Sequence, residues 1–478
     1  MGTALQPVKT IARQGRYFVN PARAEGIDLA LPFRLGPNLY LAQTQPGFDG
    51  VAWEEIAARV RASLDPPPID FQKRRSRTSP SRFRAPAVLG ARELGRRNVP
   101  DRAGITIFTA PRPEPLRLLR ASEDVFAVIG YRRGLAGDPS ALERIAAIAR
   151  DAPYVDQALA ARTRLMPGTR SGHRLRYRVI ARMAGEQQFR RVDLARAISR
   201  GIAERGDRSW RPSPDGADVE FWATLLPIRP LKTSAPPASR SVFSRARGRG
   251  LNGGLNEGSQ MSGMALKSSF QQMPLVTPSQ HLASELILAI RLSDERMRHR
   301  DYKVAHLPGS LRPSVAAALA LLSQPMPEDV VLDPLCGAGT VLIERAHLGH
   351  YRLLIGCDRN TRALSAAREN VGPRYKPLEL HPWDASALPL PDQSVSKIVT
   401  NLPWGIRHGS HEDNRLLYPR ILREFHRLIK PGGKIVILTS ETRLMSDLIT
   451  RGLFRPDKIL RVSILGANAA VYVSSVPS

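Results

Sequence analysis

Apolar positions along this chain fall into two rhythms, separated by stretches that have neither. From Val330 onward, short continuous runs (Val330-Val331-Leu332, Leu353-Leu354-Ile355-Gly356, Ile398-Val399) alternate with helical spacings to the C-terminus. Strands covered on both faces read as such runs, and their alternation with helices predicts a doubly wound α/β sheet. The N-terminal part is patterned differently. Leu39–Ala42 predicts a strand, Pro46-Gly47-Phe48 a turn, and residues 51–62 a helix with Val51, Ile56 and Val60 on one face. Ala103–Phe108 and Val125–Ile129 predict two more strands, and residues 140–165 look helical. Tyr177–Arg182 and Asp218–Leu225 alternate like strands on either side of a helical spacing from Val192 to Ile202. This is the pattern of an α+β unit.

Three stretches interrupt these rhythms. Residues 1–38 have no strong period and are expected to be an extension. Residues 63–87 carry Pro66-Pro67-Pro68 and Lys73-Arg74-Arg75-Ser76-Arg77, a basic insert. Residues 229–280 are rich in Ser, Gly, Arg and Pro, with Arg245-Ala246-Arg247-Gly248-Arg249-Gly250, and are expected to be a disordered basic linker. The folded units left over are 39–165, 173–226 and 282–478. The apolar stretch Val315–Leu322 is far shorter than the ~20 residues of a membrane span and is expected to be a buried helix.

Charge sharpens this division. The chain of 478 residues carries a formal net charge of +28. Residues 301–478 hold 22 Lys+Arg against 16 Asp+Glu, a net of +6, so +22 lies in residues 1–300. The basic character belongs to the N-terminal units, which fits a polyanionic partner such as nucleic acid. A genome-wide excess of Arg is the competing explanation. Two cysteines, Cys336 and Cys357, cannot make a disulfide framework or a zinc ribbon. With no signal-peptide pattern at the N-terminus, a cytoplasmic protein is expected.

The candidate chemistry lies in two loops that follow strands. Asp333-Pro334-Leu335-Cys336-Gly337-Ala338-Gly339-Thr340 follows Val330–Leu332 and precedes a helical pattern. Glycines at such a turn let backbone approach a nucleotide-like ligand closely. Asp358, ending the next run, is placed to accept from ribose hydroxyls, and Asp384, after Trp383, to accept from an adenine amino group. Asp333 is placed to face the amino group of a methionine moiety. A dinucleotide site is the rival, but Leu342 stands where its third glycine belongs. The second loop is Asn401-Leu402-Pro403-Trp404-Gly405. The Asn401 side-chain oxygen and the Leu402 carbonyl can both accept from an exocyclic amine, and Trp404 offers a face for the base. Together the loops point to an S-adenosylmethionine-dependent N-methyltransferase. His408 and His411 lack partners at metal-ligand spacing apart from Glu412 and Asp413, so no metal is expected.

Residues 282–478 resemble the methyltransferase domain of the THUMP-domain RNA methyltransferases, which form N2-methylguanosine in tRNA. His306–Pro313, Asp333–Thr340, Gly356-Cys357-Asp358 and Thr400–Arg407 carry that resemblance. Residues 173–226 look like the THUMP module, in Phe189–Leu194 and Asp218–Trp222, and residues 39–62 and 88–131 look like the ferredoxin-like domain that precedes it. The resemblance implies a Rossmann-like class I methyltransferase domain preceded by α+β ferredoxin-like and THUMP domains. It further implies a monomer that binds the tRNA acceptor stem and 3′ end. Cofactor contacts are then expected from Asp333, Cys336, Gly337, Gly339, Thr340, Asp358, Asp384 and Asn401. Catalysis falls to Asn401, Leu402, Pro403 and Trp404, and RNA contacts to Arg178, Arg190 and Arg191. Leu402-Pro403 departs from the Pro-Pro common in related amino-methylases, which leaves base preference open. Ribosomal RNA, another exocyclic amine, or an inactive RNA-binding protein remain as alternatives.

Overall fold

The computed structural model describes residues 32–64, 90–99, 102–170, 172, 174–206, 209–228, 283–405 and 410–477. Most of the expected extension, the basic insert from residue 65 onward and the linker at 229–280 lie outside the described residues. Two sheets organise the rest. The N-terminal sheet contains β1 (Leu39–Thr44), β2 (Arg92–Val99), β3 (Ala103–Thr109), β4 (Asp124–Leu135), β5 (Arg176–Met183), β6 (Arg211–Pro212), β7 (Val219–Pro227) and β8 (Ser284–Arg291). Their spatial order is β2-β3-β1-β4-β8-β7-β5-β6. Helices α1 (Asp49–Leu64), α2 (Ala141–Arg150), α3 (Val155–Leu165) and α4 (Arg191–Ala203) accompany this sheet.

Strand β8 corrects the sequence-based boundary at residue 282. Ser284–Arg291 is not the start of the C-terminal unit. It runs antiparallel between β4 and β7, with Ile290 opposite both Ala127 and Phe221. The physical reason lies in its composition: seven of its eight residues are buried, so it fits only where both faces and both edges are covered. Leu286, Leu288 and Ile290 enter one apolar layer and Ile287 and Ala289 the other. The two expected N-terminal units therefore share one continuous sheet. Helices α2 and α4 also pack closely, because a Cβ on Gly201 would lie 2.1 Å from the Ala146 carbonyl oxygen.

The C-terminal sheet contains β9 (Val330–Asp333), β10 (Leu353–Cys357), β11 (Leu378–His381), β12 (Val395–Asn401), β13 (Ile429–Thr439), β14 (Lys458–Ile464) and β15 (Ala467–Ser475). Its order is β11-β10-β9-β12-β13-β15-β14, parallel through β13 and antiparallel at β15. Alternate residues of each strand serve opposite layers. Val331, Leu354, Val399 and Val436 meet α5 (Pro313–Leu322), α6 (Thr340–Ala346) and α7 (Thr361–Val371). Leu332, Ile355, Ile398 and Ile437 meet α8 (His411–Leu428) and α9 (Thr442–Thr450). The doubly wound sheet expected from the apolar runs is present. Strand order reverses between β9 and β12, which opens a crevice at their C-terminal ends. No helix among the described residues is long and apolar enough to cross a membrane.

The two sheets are joined through a shared core. Phe48, Val51 and Ala52 of the α1 region and Ala121 pack with Val315, Leu319, Val462 and Ile464. At this junction Gly47 has φ +91°, and a Cβ there would lie 2.3 Å from the Arg461 carbonyl oxygen. A buried polar knot reinforces it. Glu344 on α6 is fully buried and pairs with Arg120 at 2.5 Å and Arg300 at 3.6 Å, while the Tyr302 hydroxyl donates to it at 2.8 Å. Removing the carboxylate strands two guanidiniums in a dry junction. Glu344→Ala is expected to cost about 3–5 kcal/mol of stability. A thermal or denaturant midpoint matching that of the unsubstituted protein would contradict this.

Candidate active site

The glycine turn sits at the crevice because β9 ends there and α6 begins seven residues later. Gly337 (φ 51°) and Gly339 (φ 76°) both take left-handed backbone, and Gly339 caps α6. A Cβ on Gly337 would meet no atom within 4 Å, so that face of the turn is open. Asp333 is buried at the base of the turn and accepts from the Leu335 amide at 3.3 Å. Burial raises its carboxyl to about 7, with the charge of Asp358 adding to that rise while the Thr400 hydroxyl and Leu335 amide oppose it. No cation pairs with Asp333 among the described residues. The Thr340 hydroxyl, at the start of α6, is buried without a hydrogen-bond partner among the described residues.

Asp358, just after β10, ties the turn to the second strand. Its Oδ2 accepts from the Gly337 amide at 3.0 Å and its Oδ1 from Asn360 at 2.8 Å. The Cys336 amide donates to the Cys357 carbonyl at 2.8 Å, and burial pushes both thiols up. Asp384 closes a small turn in which its Oδ1 accepts from the Ser386 amide at 2.9 Å and hydroxyl at 2.8 Å. The Ser386 amide, foremost, holds its carboxyl below the ordinary range. Arg359, one residue beyond Asp358, reaches Asp384 at 3.5 Å, so the ends of β10 and β11 converge. Trp383 stacks on His381 at 3.9 Å with the rings nearly parallel.

Asn401 is the last residue of β12, the neighbour of β9 across the crevice. The Leu402 amide donates to Leu438 at 3.0 Å, and the Leu402 side chain is buried. The Pro403 carbonyl accepts from Asn414 Nδ2 at 3.1 Å and from the Tyr418 hydroxyl at 2.6 Å. Gly405 is left-handed at φ 68°, and a Cβ there would lie 2.6 Å from Glu441 Oε1. Trp404 is half-buried against the apolar layer, and its Nε1–H donates to Asn401 Oδ1 at 2.9 Å. The sequence-based picture left that oxygen free; here one of its two lone pairs is engaged.

Several residues of this region escaped sequence reasoning. Asn414 and Tyr418 come from α8, whose start was signalled by the Ser410 and Asp413 capping box. Glu441 accepts from Asn414 at 3.1 Å and pairs with His411 at 2.7 Å. Asn370 on α7 donates to Ala338 in the glycine turn at 3.0 Å and also binds Ala305 through both backbone groups. No sequence motif announces these partners. His408 lies outside the described residues, and no group of three metal-capable side chains occurs among them.

The three RNA candidates are not equivalent. Arg190 caps α4, is 79% exposed and pairs loosely with Asp193 at 3.4 Å. Arg191 follows it and is exposed. Arg178 on β5 is instead drawn onto Glu220, which also accepts from Trp222 at 2.9 Å and Arg291 at 3.3 Å.

Residues 300–468 match the family model for the RMKL-like methyltransferase domain, UPF0020. The tRNA (guanine(6)-N(2))-methyltransferase THUMP3 of Mus musculus is 33% identical over 207 residues, covering 40% of this chain and 41% of that protein. The chain thus spans about two fifths of the length of that curated relative. Among solved structures, TrmN from Thermus thermophilus superposes with a TM-score of 0.58 at 20% identity, over 91% of this chain and 98% of that one. SMU.472, solved in complex with SAH, gives 0.54 at 13% identity, over 93% and 100%. These two likenesses establish the fold: a class I methyltransferase sheet behind an N-terminal α+β part. Residues 300–468 thus match the UPF0020 methyltransferase-domain model, and over 207 residues the chain is similar to a THUMP-type tRNA guanine-N2-methyltransferase.

Proposed function

We propose that the protein methylates the exocyclic N2 of a guanosine in tRNA, with S-adenosylmethionine as donor. The observation that carries this is the meeting of two loops at one strand-order reversal: the glycine turn after β9 and the Asn401 loop after β12. The cofactor suits the residues present. Among the described residues, Asp333 is a buried carboxyl without a cation, Thr340 holds an unpartnered buried hydroxyl, and Gly337 faces open space. Asp333 would face the amino group of the methionine moiety, Asp358 the ribose and Asp384 the adenine. When bound, the cofactor supplies an electrophilic methyl on a sulfonium.

The protein's own part is positioning. An amine conjugated to a purine ring is a weak nucleophile, so its lone pair has to be aimed. The second lone pair of Asn401 Oδ1 and the Leu402 carbonyl accept the two amine hydrogens, and Trp404 offers its face to the base. Asn414 and Tyr418 hold the Pro403 carbonyl and so fix the loop that does the aiming. The protein would act in the cytoplasm as a monomer, with the N-terminal units holding the acceptor stem and 3′ end. Incubating tRNA with the protein and labelled S-adenosylmethionine, then mass-mapping the nucleosides, tests this directly. The expected product is N2-methylguanosine, and a label on any other nucleoside would refute the assignment.

Two further outcomes are expected. The first concerns pH. A carboxyl raised to about 7 by burial remains protonated over the range where an unfolded one is charged. Its contribution to the stability of the unliganded fold is full below the unfolded value and is lost as pH rises through about 7. A cation placed against it reverses the preference, so cofactor binding below pH 7 releases a proton. Affinity is then expected to fall by up to about tenfold per pH unit below 7. Calorimetry in buffers of differing ionisation enthalpy measures the released proton. Asp333→Asn should abolish both the pH dependence and the proton release.

The second concerns the RNA grip. Phosphate neutralisation makes affinity fall with salt, with each lost contact reducing the slope. Replacing Arg190 and Arg191 together by Gln is expected to weaken tRNA binding and lower the log–log salt slope by about 1 per arginine. Arg178→Gln should change that slope little, because Glu220 already neutralises its charge. Filter binding over a salt series decides between them.

A further inference from the structure

A carboxamide has two ends of nearly equal size and opposite chemistry. If Asn401 is to aim an amine, its oxygen must face the amine hydrogens, because its NH2 end would repel them. Strand β12 fixes where the Asn401 backbone lies but does not choose between the two ends. Trp404 does. Its indole N–H is a donor only, and it contacts Asn401 Oδ1 at 2.9 Å. Rotating the carboxamide by half a turn would set NH2 against N–H and lose the hydrogen bond in a partly buried site. The ring itself is well anchored. It packs on the apolar layer, between a Pro403 carbonyl held by Asn414 and Tyr418 and a left-handed Gly405 pressed against Glu441.

We infer that Trp404 is a positioning residue that sets the orientation of the Asn401 carboxamide through its indole N–H, beyond offering a face to the base. This rests on the proposed N2-methylation. The amide oxygen has two lone pairs, so one can stay with Trp404 while the other receives the substrate amine. The bond is therefore kept through the reaction rather than exchanged, and the amine meets an acceptor already aimed.

Trp404→Phe separates the two roles, since phenylalanine keeps an aromatic face and loses the donor. Its kcat on tRNA is expected to fall about ten- to a hundredfold, with the tRNA KM and cofactor affinity within about twofold of the unsubstituted protein. Intact cofactor binding by calorimetry shows that the variant is folded. The sharper test is the same change in an Asn401→Asp background. A carboxylate has two equivalent oxygens and needs no help to choose between ends. There Trp404→Phe is expected to change kcat by less than about twofold. A Trp404→Phe variant with unreduced kcat overturns the inference, and so does an equal loss in both backgrounds; in either case N2-methylation by the unsubstituted protein still stands. If the unsubstituted protein methylates another atom, the proposed function falls first and this inference with it.

Discussion

Asn401→Ala is expected to cut the methylation rate by about two or more orders of magnitude while leaving cofactor and tRNA binding nearly unchanged. The size follows from what the side chain does. A conjugated amine gains little from being merely close to the methyl group; its lone pair must point along the breaking bond, and misplacement of the reacting atoms costs rate on this scale. In the structure the Asn401 oxygen is oriented by Trp404, and its backbone belongs to a strand hydrogen-bonded into the middle of the sheet. Truncation to alanine therefore removes an aimed acceptor without disturbing its support. The ground-state contacts proposed to bind cofactor and tRNA lie elsewhere, in the glycine turn and the N-terminal units. Loss in kcat with steady KM is the signature to measure in single-turnover kinetics. An equal loss of cofactor binding would show that Asn401 serves the cofactor instead. Asn401→Asp keeps an acceptor but adds charge near the sulfonium, and reduced rather than abolished activity is expected.

The sequence carried the C-terminal sheet and its two loops because their signals are local. Val330–Leu332 and Ile398–Val399 are continuous apolar runs since β9 and β12 are covered on both faces, and the loops that follow them lie within a few residues. The turn glycines were legible for the same reason: positive φ at Gly337 and Gly339 is a property of single residues. What stayed hidden depends on contacts distant in sequence. Ser284–Arg291 looked like the head of the domain it adjoins, and only its pairing with Asp124–Leu135 and Val219–Pro227 places it in the other sheet. Glu344, an ordinary helix glutamate in the sequence, is the buried partner of Arg120 from the other half of the chain. Asn414, Tyr418 and Glu441 reach the Asn401 loop only through the docking of α8 and the end of β13. One experimental consequence is immediate. Deleting residues 1–226 to isolate a catalytic domain would strip β4 and most of β7 from β8 and expose the face that Phe48, Val51 and Ala52 cover. Point substitutions on α4 are the better probe of RNA binding.

A tRNA carrying inosine at the modified position is expected to bind the protein and accept no methyl group. Inosine differs from guanosine only in lacking the 2-amino group, so every phosphate and ribose contact survives. Affinity drawn from the basic N-terminal units should hardly move, because it comes mainly from sequence-independent phosphate contacts. The base can still lie on Trp404, since stacking needs only its face. What disappears is the nucleophile itself, along with both hydrogens that Asn401 Oδ1 and the Leu402 carbonyl would accept. The two acceptors proposed to aim an exocyclic amine then have no amine to aim. Binding without turnover is therefore the expected pair of results, measured by competition with unmodified tRNA and by labelled-methyl incorporation. Methyl transferred to the inosine would mean that a ring nitrogen or an oxygen is the target and that the Asn401 loop holds the base by another edge. Loss of binding alongside loss of turnover would mean instead that the two acceptors capture the substrate as well as aim it, and Asn401→Ala should then raise KM as well as lower kcat.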